Sequence, residues 1–216
     1  MFVTLVTQDK EKGYRGIDSL IVDGDSDGIK VNKLGGKMGV RASTVGEIIF
    51  KNCRVPAENR MGGEEVGFRQ TMEVLNASRI SIAAQCVGIA QAALEESVSY
   101  ARSRKAFGGP IANQQAIQWM IADMATETEA ARQLVMNVAS KYDAGLPFVS
   151  EASMAKLFAS RVAVECANKA VQIHGGSGYF APTKVERLFR DAKVTEIYEG
   201  TSEIQRMLIA RNILKE

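Results

Sequence analysis

Near the end of the chain stands Tyr198-Glu199-Gly200-Thr201-Ser202-Glu203-Ile204-Gln205-Arg206, a stretch with one carboxylate, Glu199, that could do acid–base chemistry. Glu199 is either a polar residue ahead of a helix or a base placed to take a proton. Ser202 with Gln205 three residues later fits a capping box, in which each side chain satisfies an orphan amide at a helix start. A helix is therefore predicted from about Ser202, carrying Ile204, Met207, Leu208 and Ile213 toward a core. A carboxylate just ahead of such a helix gains about 0.3–1 kcal/mol from its positive end, so these nine residues alone favour the plain electrostatic role.

Other groups of reactive type offer less. His174, the single histidine, cannot build a site of several imidazoles and reads as structural. The run HGGSGY that it opens, residues 174–179, has two close glycines, but a dinucleotide fingerprint needs a preceding strand, and this run closes a long helical pattern. It reads as a helix C-cap with glycine at positive φ, where a ligand could also approach the backbone. DGDSDG, residues 23–28, begins like a calcium loop yet has Leu34 where the bidentate glutamate belongs, so a β-hairpin turn is expected. Cys53, Cys86 and Cys166 are odd in number, widely spaced and without metal-ligand spacing, as suits free thiols in a reducing compartment. No metal site is expected.

Two kinds of element must position these residues. Through about residue 60, short apolar runs (FVTLV, SLIVDG, GIKVN, GEIIF) separated by Gly, Asp, Ser and Asn read as strands and turns. From about Glu65 the period becomes helical. Phe68, Met72, Leu75, Ile82, Cys86, Ile89 and Ala93 make one stripe, and after FGGP a second runs through Ile117, Met120, Ile121, Met124, Thr128, Ala131, Val135, Val138 and Tyr142, stopping near AGLP. A third helix, about Ser150 to His174, is apolar on several sides and so buried on more than one face. A shorter one is predicted from Pro182 to about Asp191. The chain's 216 residues, with 46% apolar, 24% charged and a net charge of +2, describe a globular protein with scattered basic residues, which argues against a nucleic-acid partner. No apolar run is long enough to span a bilayer, and a soluble intracellular protein is expected.

Several separated stretches resemble the acyl-CoA dehydrogenase family. RSRKAFGGPIANQQAI (102–117), VQIHGGSGY (171–179), VERLFRDAKV (185–194) and YEGTSEIQR (198–206) resemble its C-terminal half, and KLGGKMGVRASTVGEIIFKNCRVP (33–56) looks like the second half of its central β domain. The resemblance implies an α+β, mainly α fold: a partial β-barrel domain over residues 1–62, then a C-terminal four-helix bundle over 63–216. It implies FAD, an acyl-CoA substrate, and Glu199 as the base that removes the α proton while the β hydride leaves to the flavin. A minority of the family carries the base on the first long helix, at the position held here by Ser78, which cannot serve.

Carried over position by position, the resemblance places Arg79, Asn76, Tyr198 and Gly200 at the substrate, with Asn76 standing where an acidic residue is common. It places Arg104 and Phe107 of the RKxFG motif, Gln115, Gln172, Ile173, His174, Gly175, Gly176, Thr201, Ser202 and Glu203 at FAD, several of them reaching the cofactor of a neighbouring subunit. A homo-oligomer (dimer or tetramer), an electron-transfer flavoprotein as acceptor, and a bacterial cytoplasmic or mitochondrial matrix setting are the corresponding expectations. The resemblance starts inside the family's β domain, so the chain is expected to represent part of a longer enzyme. One half of a split flavoenzyme, or a non-catalytic helical oligomerisation module, are the alternatives.

Overall fold

In the computed structural model, which describes residues 1–214, the chain forms two compact units, residues 1–37 with 41–75 and residues 38–40 with the chain from 76 onward. In the first unit all four expected strands form: β1 (Phe2–Thr7), β2 (Ile17–Val22), β3 (Ile29–Leu34) and β4 (Val45–Phe50). β1 pairs antiparallel with β2, and β3 with β4, in two separate two-stranded sheets. The described residues thus show two ribbons where a partial barrel was expected. DGDSDG is correspondingly not a hairpin turn, because it joins β2 to β3, which lie in different sheets. Asp23 takes the Ser26 amide on its carbonyl at 3.2 Å and the Asp25 amide on its carboxylate at 3.3 Å, a local turn that needs no pairing of its flanks. The first long helix, α1 (Gly67–Ser103), starts against β2. A Cβ on Gly67 would come within 2.5 Å of the Asp18 backbone, so only glycine permits that approach.

The second unit is a helical bundle of α1, α2 (Gln115–Asp143), α3 (Val149–His174) and α6 (Ser202–Ile213), with short α4 (Gly176–Tyr179) and α5 (Lys184–Ala192) between the last two. From Ile82 onward the predicted α1 stripe meets those of α2 and α3 in one core, whereas Phe68, Met72 and Leu75 lie outside it, Phe68 against Tyr14 with ring centroids 5.2 Å apart. Ala83, Cys86, Ala90 and Ala93 of α1, Met124, Ala131 and Val138 of α2, and Ala155, Ala159, Val162, Ala163 and Cys166 of α3 are all buried in it. Small side chains let the helices approach closely, and each fully buried Val or Met contributes roughly 1.5–3 kcal/mol. α3 packs against α2, α5 and α6, as its many-sided apolar pattern requires. Between α1 and α2 the chain reverses through the two-residue strands β5 (Lys105–Ala106) and β6 (Gly109–Pro110). Phe107 and Gly108 at the tip have φ of +53° and +88°, the pair of positive values a tight hairpin demands.

Three local expectations fail. α5 begins at Lys184, two residues after Pro182, because Thr183 donates from both its amide (3.1 Å) and its hydroxyl (2.8 Å) to the Phe180 carbonyl and closes a turn there. Tyr142 is half exposed, set edge-on to Phe148. On α6, Ile204, Met207 and Ile213 are exposed, and the one buried side chain is Gln205. The periodicity that placed an apolar face on α6 gave way to a polar contact.

Candidate active site

That contact is with the Glu199 turn. Glu199 and Gly200 take φ of +54° and +91°, two left-handed residues in succession. The first costs a non-glycine residue roughly 1–2 kcal/mol, so the turn needs support from outside itself. Gln205 Nε2 donates to the carbonyl oxygens of Glu199 (3.1 Å) and Gly200 (2.9 Å). Lys156 Nζ, from α3, donates to the same Gly200 oxygen at 2.7 Å. Arg79 Nε, from α1, reaches the Glu199 carbonyl at 3.5 Å. The expected capping box is absent: Thr201 is the N-cap, its hydroxyl accepting from the Ile204 amide at 3.5 Å, while Gln205 is committed inward.

With the backbone held, the carboxylate faces α1. Ser78 Oγ donates to Glu199 Oε2 at 2.5 Å. Arg79 Nη1 donates to Asn76 Oδ1 at 2.6 Å, and the Tyr198 hydroxyl donates to Gln85 Oε1 at 2.8 Å. The four expected substrate-side residues, Asn76, Arg79, Tyr198 and Gly200, thus gather around Glu199. Two buried cations stand beside it. Burial lowers the Arg79 guanidinium and the Lys156 ammonium from their ordinary values, and the negative charge of Glu199 opposes that fall in both. Burial also raises the Tyr198 phenol and pushes the Cys86 thiol up to about 11, leaving that thiol protonated and inert near neutrality.

Ser78, Lys156, Gln205 and Gln85 were not singled out as contacts of this turn from the sequence. The one available signal was Lys156 itself, a cation in a helix apolar on several sides.

The expected cofactor residues fall into two groups. Thr201, Ser202 and Glu203 lie at the start of α6 beside Glu199, and Glu203's own amide and the Thr201 hydroxyl hold its exposed carboxyl below the usual range. Arg104, Phe107, Gln115 and Gln172 to Gly176 lie at the far end of the bundle. There Tyr100 of α1 stacks on His174 of α3 with centroids 4.1 Å apart, and Arg104 follows one turn on, its amide bonded to the Tyr100 carbonyl. His174 Nδ1 lies 2.8 Å from the Ala170 carbonyl and Ile173 is buried in the core, so both side chains serve the bundle. Arg104, Phe107, Gln115 and Gln172 are exposed. Gly175, at φ +56°, caps α3, and an added Cβ on it or on Gly176 would meet nothing within 4 Å. An exposed guanidinium, two amides and uncovered glycine backbone fit the phosphates and hydroxyls of a dinucleotide such as FAD. Lys156 and His174 are both on α3, separated by roughly 27 Å at 1.5 Å per residue.

A family model described as acyl-CoA dehydrogenase, C-terminal domain, matches residues 65–214. The chain belongs to the acyl-CoA dehydrogenase family. It is 51% identical to a probable acyl-CoA dehydrogenase of Bacillus subtilis, covering 100% of this chain and 57% of that protein. It is 48% identical to the caffeyl-CoA reductase-Etf complex subunit CarC of Acetobacterium woodii, over 96% of this chain and 55% of that one. The solved butyryl-CoA dehydrogenase of Megasphaera elsdenii superposes with a TM-score of 0.96 at 42% identity, covering 99% of this chain and 56% of its own. The chain therefore spans little more than half the length of these relatives. No described helix is long and apolar enough to cross a membrane.

Proposed function

We propose that this chain supplies the proton-transfer half of an acyl-CoA dehydrogenase, with Glu199 as the base that removes the α proton of an acyl-CoA thioester. The observation that carries the reading is the Glu199 carboxylate itself: strained backbone, a hydroxyl on one oxygen, and two buried cations nearby are expensive to assemble for a helix-start charge alone. The Glu199 amide donates to the thioester carbonyl, so the electron pair left by the departing proton is drawn toward oxygen. Arg79 and Asn76 bind toward the CoA portion, Tyr198 flanks the acyl group, and Gly200 leaves room for it. FAD, when bound, supplies the acceptor for the β hydride, and trans-2-enoyl-CoA is the product. Arg104, Phe107, Gln115, Gln172 to Gly176 and Thr201 to Glu203 hold the cofactor.

The separation between the cofactor residues at the start of α6 and those at the end of α3 supports a homo-oligomer in which one subunit completes the cofactor site of the next. An electron-transfer flavoprotein takes the electrons onward, a partner class named in a relative's own complex. The bundle, residues 63–216, carries the site, and a cytoplasmic or matrix setting suits its free thiols. The same base serves the reverse reaction as an acid, which accommodates relatives named as reductases.

In the flavin-loaded protein, Glu199→Gln removes the base and little volume. FAD and acyl-CoA binding are expected to persist while bleaching of the flavin by substrate disappears, a loss of at least the 10²–10⁴-fold typical of acid–base catalysis. Unchanged bleaching would refute the assignment.

A further inference from the structure

We infer that Lys156 and Gln205 are positioning residues, which fix the Glu199 carboxylate by clamping the carbonyl oxygens of Glu199 and Gly200 from two helices. The structural half of this stands on geometry alone, and its kinetic half rests on the reading of Glu199 as the base.

Neither residue is what its packing position calls for. Lys156 is fully buried on α3, with Ala152, Ser153, Ala159 and Ser160 buried within a turn on either side, where an ammonium is costly to desolvate and a methionine would fill the same space without that cost. Its hydrogen bond goes to a main-chain oxygen. Gln205 is the one buried side chain of a helix on which Ile204, Met207 and Ile213 face solvent. Its Oε1, also buried, has no partner among the described residues, so the amide is oriented by the two carbonyls that its Nε2 serves. Both donors meet on the Gly200 oxygen and so occupy both of its lone pairs. The fit is close: a Cβ on Gly200 would stand 2.6 Å from Gln205 Nε2.

The consequence follows from the dihedral angle. With φ of Glu199 at +54°, its Cα–Cβ bond leaves the turn in the direction that lets Oε2 meet Ser78 on α1. Relaxation of this residue to negative φ, where a non-glycine residue is at lower energy, swings that bond away. The clamp therefore sets the base's place without touching substrate. Its loss should lower kcat and leave KM alone, because an ångström of misplacement at a reacting atom is felt mainly in the chemical step.

The test uses Lys156→Met and Gln205→Met, both close in volume. In this chain, hydrogen exchange read by mass spectrometry should rise about tenfold in peptides spanning residues 195–206 and stay unchanged in α2. Melting should be little altered, since a desolvated ammonium is replaced by an apolar group in the first variant. In the flavin-loaded protein, the rate of flavin reduction should fall about 10- to 100-fold with KM within twofold and FAD retained. Lys156→Gln, which restores a neutral donor, should recover part of the rate. Unchanged exchange in the turn, unchanged rates despite faster exchange, or a rise in exchange across the whole bundle with a lower melting temperature would each overturn the inference. Should Lys156→Met not fold, Gln205→Met decides it. Glu199→Gln measured alongside separates the two claims: activity surviving in that variant refutes the base, whereas a turn indifferent to both methionines refutes the clamp.

Discussion

Around Lys156, in the first third of α3, polar groups from α1, α3 and α6 converge on one two-residue turn, whereas around His174, at the other end of the same helix, Arg104, Phe107, Gln115 and Gln172 stand exposed. The first region is organised by the chain for itself. Lys156 and Gln205 are buried donors at 2.7–3.1 Å, and its glycine is forced by a neighbour. The second keeps only His174 and Ile173 for internal use and offers the remaining side chains outward. A reaction centre needs fixed geometry before substrate arrives, while a surface that meets a long, flexible cofactor can leave exposed side chains to order on contact. On the proposed function, one end of α3 serves chemistry and the other recognition.

Substitutions at the two ends should consequently fail in different ways. Gly200→Ala should do most damage, since it adds a Cβ 2.6 Å from Gln205 Nε2 at φ +91°. A loss of about 1–2 kcal/mol in stability, measured by chemical denaturation, should accompany at least a tenfold fall in flavin reduction. Arg104→Gln at the other end should weaken FAD binding about tenfold or more by loss of a charge-assisted contact, read by fluorescence titration, with the melting temperature of the flavin-free chain unchanged. If instead Arg104→Gln destabilises the bundle, the far end is structural and the division collapses. Ser78→Ala should have the smallest effect on rate, a several-fold loss from one missing hydrogen bond to a charged group, with FAD binding intact. A Ser78→Ala protein that loses FAD would blur the boundary between the two regions.

Legibility followed the same division. The stripe from Met124 to Val138 and the crowded faces of α3 were readable because burial of apolar residues at helical spacing repeats over many turns. So were the four strands. Their pairing was not, because alternation sets which face a side chain takes and leaves the partner strand open. The motif residues around Glu199 were found by resemblance, but their supports were not: Lys156 and Ser78 lie 44 and 121 positions from the atoms they bond, and no local pattern carries that distance. Gln205 misled outright. Three residues after a serine it looks like a capping partner, yet its amide answers two carbonyls that only the left-handed turn exposes. Local rules give way at the turn because the structure there is set by contacts from other helices.

We propose that Glu199 moves the α proton. Its most direct test is deuterium wash-in at the α carbon of an acyl-CoA in heavy water, followed by mass spectrometry, in the flavin-loaded protein and its Glu199→Gln variant. Exchange is expected with the wild-type protein and none above the uncatalysed rate with the variant, at equal acyl-CoA occupancy. Exchange at the wild-type rate in Glu199→Gln would place the base elsewhere and contradict the proposal.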